Sequence, residues 1–216
     1  MPAAPLLLGH RGSRVNTSVP ENTPASFDIA LAHGCDGFEF DVRLTCDGRS
    51  VVCHDPEVDG VLVCQATTDQ LVHLPVLDDI LQRYGQRAFL NIELKVPGLE
   101  SKVLGLLREH KIGENYVVSS FIPQVAMELK TRSASIHVGI ICDKPRQFEF
   151  WRGSNVEYLI PHYTLITRDL VQEAHNAGSK LFAWTVNDGK AMLLLAGWGV
   201  DGIISDDTRL LTQTFA

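Results

Sequence analysis

The chain has 216 residues, of which 45% are hydrophobic, and carries a formal net charge of −7. That length suits one α/β domain with a sizeable core and is short for two, so a single domain over 1–216 is expected. The 19 lysines and arginines are scattered rather than clustered, which excludes the basic footprint of a DNA- or RNA-binding protein.

The opening MPAAPLLLGHRG holds an apolar run too short to span a bilayer, with no basic residue before it, and so predicts a first strand, LLLGH, rather than a signal peptide or membrane helix. A helix follows over TPASFDIALAHG, with Thr23 as cap, Pro24 in the first turn and Gly34 at the stop. FEFDVRL and VVCHD come next, joined at the Asp47-Gly48 turn as one hairpin-like excursion. From there strand and helix alternate: helix VLDDILQRYG, strand FLNIEL, helix LESKVLGLLREH, strand YVVSS, helix PQVAMELKTRS, strand IHVGIIC, a weaker helix in PRQFEFWRG, and strand EYLIPH. Helix TRDLVQEAHNAG, strand KLFAWTV, helix GKAMLLLAGWG, strand GIISD and a closing helix TRLLTQTFA complete the chain. Such βα alternation implies a parallel sheet, because parallel strands need crossovers and helices are the usual ones. Eight strand–helix units predict a closed TIM-type (β/α)8 barrel with a short insertion after the second strand region. The open doubly wound alternative lacks a G-x-G-x-x-G after its first strand. The five cysteines are odd in number and form no C-x-x-C pair; packed thiols and a reducing cytoplasm are expected.

Two histidines and three carboxylates fall near strand ends: His10 in LLLGHRG, Glu39 and Asp41 in GFEFDV, His54 in VVCHDP and Glu93 in FLNIELK. Residues two apart on an extended chain share a face, so Glu39 and Asp41 point one way while Phe38, Phe40 and Val42 point the other. Asn91, Glu93 and Lys95 likewise oppose Leu90, Ile92 and Leu94. Clustered carboxylates over an apolar backing repel and resist desolvation unless something positive sits among them, and a divalent cation is the simplest resolution. A structural alternative pairs them with Arg11, Arg43 or Lys95 in a barrel interior. In a barrel, catalytic groups gather at the C-terminal strand ends, where all five of these residues are expected.

Segments across nearly the whole chain resemble the glycerophosphodiester phosphodiesterase family, in family order: GHRG at 9–12, PENTPASFDIALAHGCDGFEFDVRLTCDG at 20–48, VVCHDP at 51–56, NIELK at 91–95, VVSSF at 117–121, FAWTVND at 182–188 and GVDGIISDD at 199–207. The resemblance implies a barrel with a divalent-metal site and two catalytic histidines, acting on a small-molecule phosphodiester. One departure is the stretch from Asp55 to His73, which is short and lacks most of the pattern of the family's inserted cap.

On that footing Glu39, Asp41 and Glu93 are the expected metal ligands. An all-oxygen set favours Mg²⁺ or Ca²⁺, with Mn²⁺ tolerated, over zinc. His10 and His54 are the expected acid–base pair, since imidazole titrates near neutrality. Arg11 and Lys95 add fixed positive charge for phosphate oxygens, although Lys95 could simply neutralise Glu93. Trp184 and Phe121 could be ordinary core aromatics; the resemblance makes them an apolar wall beside the substrate. Glu21-Asn22-Thr23 reads as a loop anchor and helix start, and Asp206 as a support for a backbone or a neighbouring strand end. His33, His73, His110, His137, His162 and His175 read as surface or packing residues. The implied reaction yields glycerol 3-phosphate and an alcohol. A lysophospholipase D or phospholipase C-like activity on bulkier diesters is the nearest rival, and a non-catalytic metabolite-binding barrel the alternative of another class. No nucleic acid and no stable membrane insertion are expected, and the oligomeric state is left open.

Overall fold

The computed structural model describes residues 4–15 and 18–216, so Met1–Ala3 of the opening segment lie outside the described residues. Eight parallel strands close a TIM barrel: β1 (Leu6–His10), β2 (Gly37–Leu44), β6 (Phe89–Leu94), β7 (Tyr116–Ser120), β8 (Val138–Cys142), β9 (Tyr158–Pro161), β10 (Lys180–Ala183) and β11 (Gly202–Ser205), with β11 returning to pair with β1. Beyond the barrel, β3 (Ser50–Val52) runs antiparallel to the end of β2, so the expected excursion is a true hairpin. A second small hairpin, β4 (Glu57–Val58) with β5 (Val61–Leu62), and two 3₁₀ turns make up the short insertion. It is pinned down by Val63, Ala66 and Leu71 packing on Val51 and Cys53.

Among the described residues, eight helices follow the pattern read from the sequence: α1 (Pro24–Ala32), α2 (Leu77–Tyr84), α3 (Glu100–Glu109), α4 (Pro123–Arg132), α5 (Phe148–Arg152), α6 (Arg168–Asn176), α7 (Gly189–Trp198) and α8 (Thr208–Thr214). Thr23 caps α1 by accepting from the Ser26 amide, and Gly34 takes the left-handed φ of +98° just past its end. The weaker helix divides into a 3₁₀ turn at Pro145–Gln147 and the five-residue α5. All five cysteines are free thiols, three of them buried. No helix among the described residues is long and apolar enough to cross a membrane.

Period-two alternation sorts the strand side chains into two cores. Outward residues such as Phe38, Phe40, Leu90 and Ile92 meet the helices. There Phe27 of α1 stacks on Phe38 at 4.1 Å, and Tyr84 of α2 meets Phe38 edge-on at 5.0 Å, which seats both helices against β2. Inward residues Leu8, Phe89, Val117, Tyr158, Ile160, Phe182 and Ile204 fill the barrel axis, leaving polar side chains for the C-terminal end. The inward position at the start of β2 must be glycine, since a Cβ on Gly37 would come within 1.9 Å of the Phe89 carbonyl oxygen on the paired strand. Gly37→Ala is therefore expected to cost about 3 kcal/mol or more, because neither backbone can retreat without breaking the β2–β6 ladder. Urea unfolding would register this as a lower midpoint with an unchanged slope.

Candidate active site

The turn after β1 organises one side of the site. Arg11 adopts a left-handed φ of 52° and Gly12 one of 84°, which reverses the chain immediately after His10. The Arg11 carbonyl accepts from the Asn22 amide at 3.0 Å and the Ser26 hydroxyl at 3.0 Å, tying this turn to the start of α1. Gly12 permits the approach, because a Cβ there would meet the Ser26 side chain and backbone below 3 Å.

Register carries the rest. β1 pairs with β2 so that His10 lies beside Glu39, and β2 pairs with β6 so that Glu39 lies beside Asn91 and Asp41 beside Glu93. Glu39, Asp41 and Glu93 each bring a carboxylate oxygen within 4.8 Å of the others, all three buried. Lys95 Nζ lies 2.5 Å from Glu93 Oε1 and 3.3 Å from Asp41 Oδ1. Arg11 Nε lies 3.1 Å from Asp41 Oδ2 but off line for a hydrogen bond, an ionic contact. Its backbone N–H donates to Glu39 Oε2 at 3.0 Å.

Two cations therefore face three carboxylates, and the balance is uneven. Burial pushes the Asp41 carboxyl upward, but Lys95, Arg11 and the Asn22 amide outweigh it and hold it below the usual carboxylate range. Burial, then Asp41, pushes Glu93 up to about 7. Glu39 is driven well above its ordinary value by burial and by the charges of Asp41 and Glu93. Its Oε1 is buried with no hydrogen-bond partner. A hard divalent cation fits these residues: the donors are oxygen only, they converge, and they carry charge that the protein's own lysine and arginine leave unbalanced.

Both histidines border the same cavity. His10 Nδ1 lies 2.7 Å from Asp206 Oδ1, which leaves Nε2, 3.8 Å from Glu39 Oε2, toward the carboxylates. His54, in the loop after β3, places Nδ1 2.7 Å from Asp55 Oδ1, while its carbonyl accepts from Arg43 Nε at 2.8 Å. In each case a carboxylate on Nδ1 selects the tautomer whose Nε2 is the free acceptor. The cavity is about 170 Å³, with Arg11, Asn91 and Lys95 on its polar side and Phe121, Ile141, Ile160, Trp184 and Ile204 on its apolar side. Phe121 meets Trp184 edge-on at 5.3 Å, and Trp184 Nε1 donates to the Ile160 carbonyl at 2.9 Å. A wider depression of about 540 Å³ lies at the opposite barrel end, between the strand N-termini, and among the described residues it gathers no converging carboxylates.

Two sequence readings are extended by the structure. Beyond the helix cap, Asn22 holds Asp41 from both sides: Nδ2 donates to Asp41 Oδ2 at 2.8 Å, and the Asp41 amide donates to Asn22 Oδ1 at 3.2 Å. Glu21 grips Arg11 NH1 and Arg14 Nε, each at 2.7 Å. Asp206 does brace a neighbouring strand end, but through the His10 imidazole, and it also receives Arg14 NH1 and Asn187 Nδ2 at 2.7 Å. Arg14 and Asn187 escaped the sequence reading, and Arg43, expected there as a counter-ion for the carboxylates, instead donates to the His54 carbonyl. Asn91, read from the sequence as sharing the strand face of Glu93, lies there beside Glu39. Among the remaining histidines, His33, His110, His162 and His175 find Thr208, Asp78, Thr164 and Asp201 as partners, in keeping with packing roles.

The sequence model of the glycerophosphoryl diester phosphodiesterase family matches residues 10–82 and 101–210. A glycerophosphodiester phosphodiesterase of Caldanaerobacter subterraneus subsp. tengcongensis is 32% identical, covering 95% of this chain and 96% of that protein. One from Bacillus altitudinis is 29% identical over 93% of this chain and 94% of that protein. Among solved structures, an Oleispira antarctica phosphodiesterase in complex with the product sn-glycerol-3-phosphate superposes with a TM-score of 0.84 at 25% identity, over 98% of this chain and 97% of that one. A putative glycerophosphoryl diester phosphodiesterase from Silicibacter pomeroyi reaches 0.86 at 23% identity, over 99% and 94%, and is a likeness of fold. With a family match spanning most of its length and a full-length relative above 30% identity, the chain belongs to the glycerophosphoryl diester phosphodiesterase family of enzymes.

Proposed function

We propose that this enzyme hydrolyses small glycerophosphodiesters to sn-glycerol 3-phosphate and an alcohol, with Glu39, Asp41 and Glu93 holding one divalent cation, Mg²⁺ or Ca²⁺, and His10 and His54 moving the protons. The observation that carries this reading is the meeting of three buried carboxylates and two imidazoles, each imidazole fixed through Nδ1, around one small cavity. When bound, the cation supplies charge to offset the phosphate and orient the glycerol hydroxyl.

The chain's own groups do the remainder. An Nε2 lone pair accepts the proton of the glycerol hydroxyl adjacent to the ester as that oxygen attacks phosphorus. The other imidazole, protonated at Nε2, donates to the departing alcohol oxygen. Water then opens the resulting cyclic phosphate with the two histidines in exchanged roles. Arg11 and Lys95 present fixed positive charge to the phosphate oxygens, and Glu21 keeps the Arg11 guanidinium in place. Phe121 and Trp184 wall off the carbon side of the glycerol, and the isoleucines below them exclude water. The free thiols accord with a cytoplasmic setting.

At about 170 Å³ the cavity is smaller than the roughly 300–1,000 Å³ of pockets that enclose drug-sized ligands, which favours a glycerophosphate head over a lipid. The bulkier-diester reading draws support from Val61, Leu62 and Val72, exposed on the insertion that follows His54. Choline release, assayed with Mg²⁺, decides between them. Glycerophosphocholine is expected to be cleaved faster than lysophosphatidylcholine; the reverse order would transfer the assignment to lipid diesters, and no release from either would end it.

A further inference from the structure

Asn91 lies on the inward face of β6, is 1% exposed and lines the site cavity, yet its Nδ2 is buried without a hydrogen-bond partner. The Ser119 hydroxyl, itself fully buried on β7, donates to Asn91 Oδ1 at 2.7 Å, which places the NH₂ on the side away from Ser119. Its register neighbour on β2 is Glu39, whose Oε1 is buried and equally unpartnered, while Oε2 is taken by the Arg11 amide. An unmade donor and an unmade acceptor thus occupy adjacent positions on one barrel face. A buried polar group left unsatisfied is costly, and such groups concentrate where a ligand completes the set.

We propose that Asn91 is a positioning residue of the cation site: its Nδ2, aimed by Ser119, donates to the cation-facing oxygen of Glu39 and so holds that carboxylate in its coordinating orientation. This rests on the reading of Glu39, Asp41 and Glu93 as cation ligands. Outer partners of this kind fix the direction of a ligand's lone pairs and typically set 10–100-fold of metal affinity. Turned the other way, the Asn91 carbonyl would face a carboxylate and repel it, so Glu39 selects this orientation and the Ser119 hydroxyl holds the far side of the amide in place.

The test is calorimetric titration of the purified protein with Ca²⁺ alone and, separately, Mg²⁺ alone. Asn91→Leu, which keeps most of the volume, is expected to weaken binding by about 10–100-fold. Ser119→Ala leaves the amide in place but removes its anchor, and is expected to weaken binding to a smaller degree. Thermal unfolding of the metal-free variants separates the role from packing: a purely structural Asn91 would lower the melting midpoint while the folded protein kept wild-type cation affinity. Cation binding by wild type with unchanged affinity in Asn91→Leu would overturn the role of Asn91 and leave the cation site standing. Should Asn91→Leu not fold, unchanged affinity in Ser119→Ala overturns it in the same way. A wild-type protein that takes up neither ion removes the site and the inference with it.

Discussion

His10→Ala is expected to give a folded barrel that cleaves glycerophosphocholine about 10²–10⁴-fold more slowly, and His54→Ala the same, because each imidazole moves a proton in the transition state. Neither ring is part of the apolar core. His10 touches Asp206 and approaches Glu39, and His54 is about one-third exposed beside Asp55, so removing either leaves the strand packing intact. The two losses should separate with leaving group. An alcohol of low pKa departs without a donated proton, so the histidine that serves as acid in the first step becomes nearly dispensable toward a nitrophenyl ester, while the one that serves as base does not. Circular dichroism checks the fold and steady-state kinetics read the rates. Near-wild-type turnover by either variant would remove that histidine from the chemistry. Asp206→Ala should show a smaller loss of the same kind, in kcat rather than KM, since it frees His10 to rotate and change tautomer without touching substrate.

The fold was legible because each level of the sequence pointed the same way. Alternation of short apolar runs with segments of helical period implied parallel strands, and the count of units implied closure; Thr23, Pro24 and Gly34 marked a helix at both ends. The carboxylate face was legible for a related reason: period two along a strand is rigid enough that the residue order alone assigns Glu39 with Asp41, and Glu93 with Lys95, to one side. What alternation cannot supply is register between strands. That Asp41 stands beside Glu93 and His10 beside Glu39 is set by the pairing of β1, β2 and β6, which brings together residues 52 and 29 positions apart. The supporting residues were hidden for the same reason. Asn22 and Asp206 reach the site from turns, where no periodicity operates, and their targets are fixed by chain reversals such as the left-handed Arg11-Gly12 turn. The Glu21-Asn22-Thr23 segment shows how one short motif divides its labour. Thr23 does what capping propensity says, while the residue before it, at φ 57°, turns its amide onto a carboxylate 19 positions away.

Chelation by EDTA is expected to abolish activity and Mg²⁺ or Ca²⁺ to restore it, and the cation should also flatten the dependence of stability on pH. Burial and then the neighbouring Asp41 charge lift the Glu93 carboxyl to about 7, and Glu39 is lifted as well. Relative to an unfolded chain, in which a glutamate titrates near 4.3, the metal-free folded protein holds these protons too tightly. Their contribution to stability is therefore complete below about pH 4.3 and is lost as pH rises through 7. Asp41 and Asp206 shift the opposite way, held down by Lys95 and Arg11 and by His10, Asn187 and Arg14 respectively against the upward push of burial. Their stabilisation is already present above the ordinary aspartate range, about pH 4, and stays level over the window in question. In EDTA the melting temperature should fall between pH 5 and pH 8. With saturating Mg²⁺ the lost protons are replaced by the ion, so the gap between the two curves should widen with rising pH, and calorimetry near pH 6.5 in buffers of differing ionisation enthalpy should show proton release on binding. Glu93→Gln removes one ligand and the group that titrates at about 7, so it should flatten the pH dependence in EDTA and weaken cation binding at the same time. A gap between the curves that does not change with pH would mean that Lys95 and Arg11 balance the carboxylates by themselves, and the cluster would then be an ion-pair network rather than a cation site.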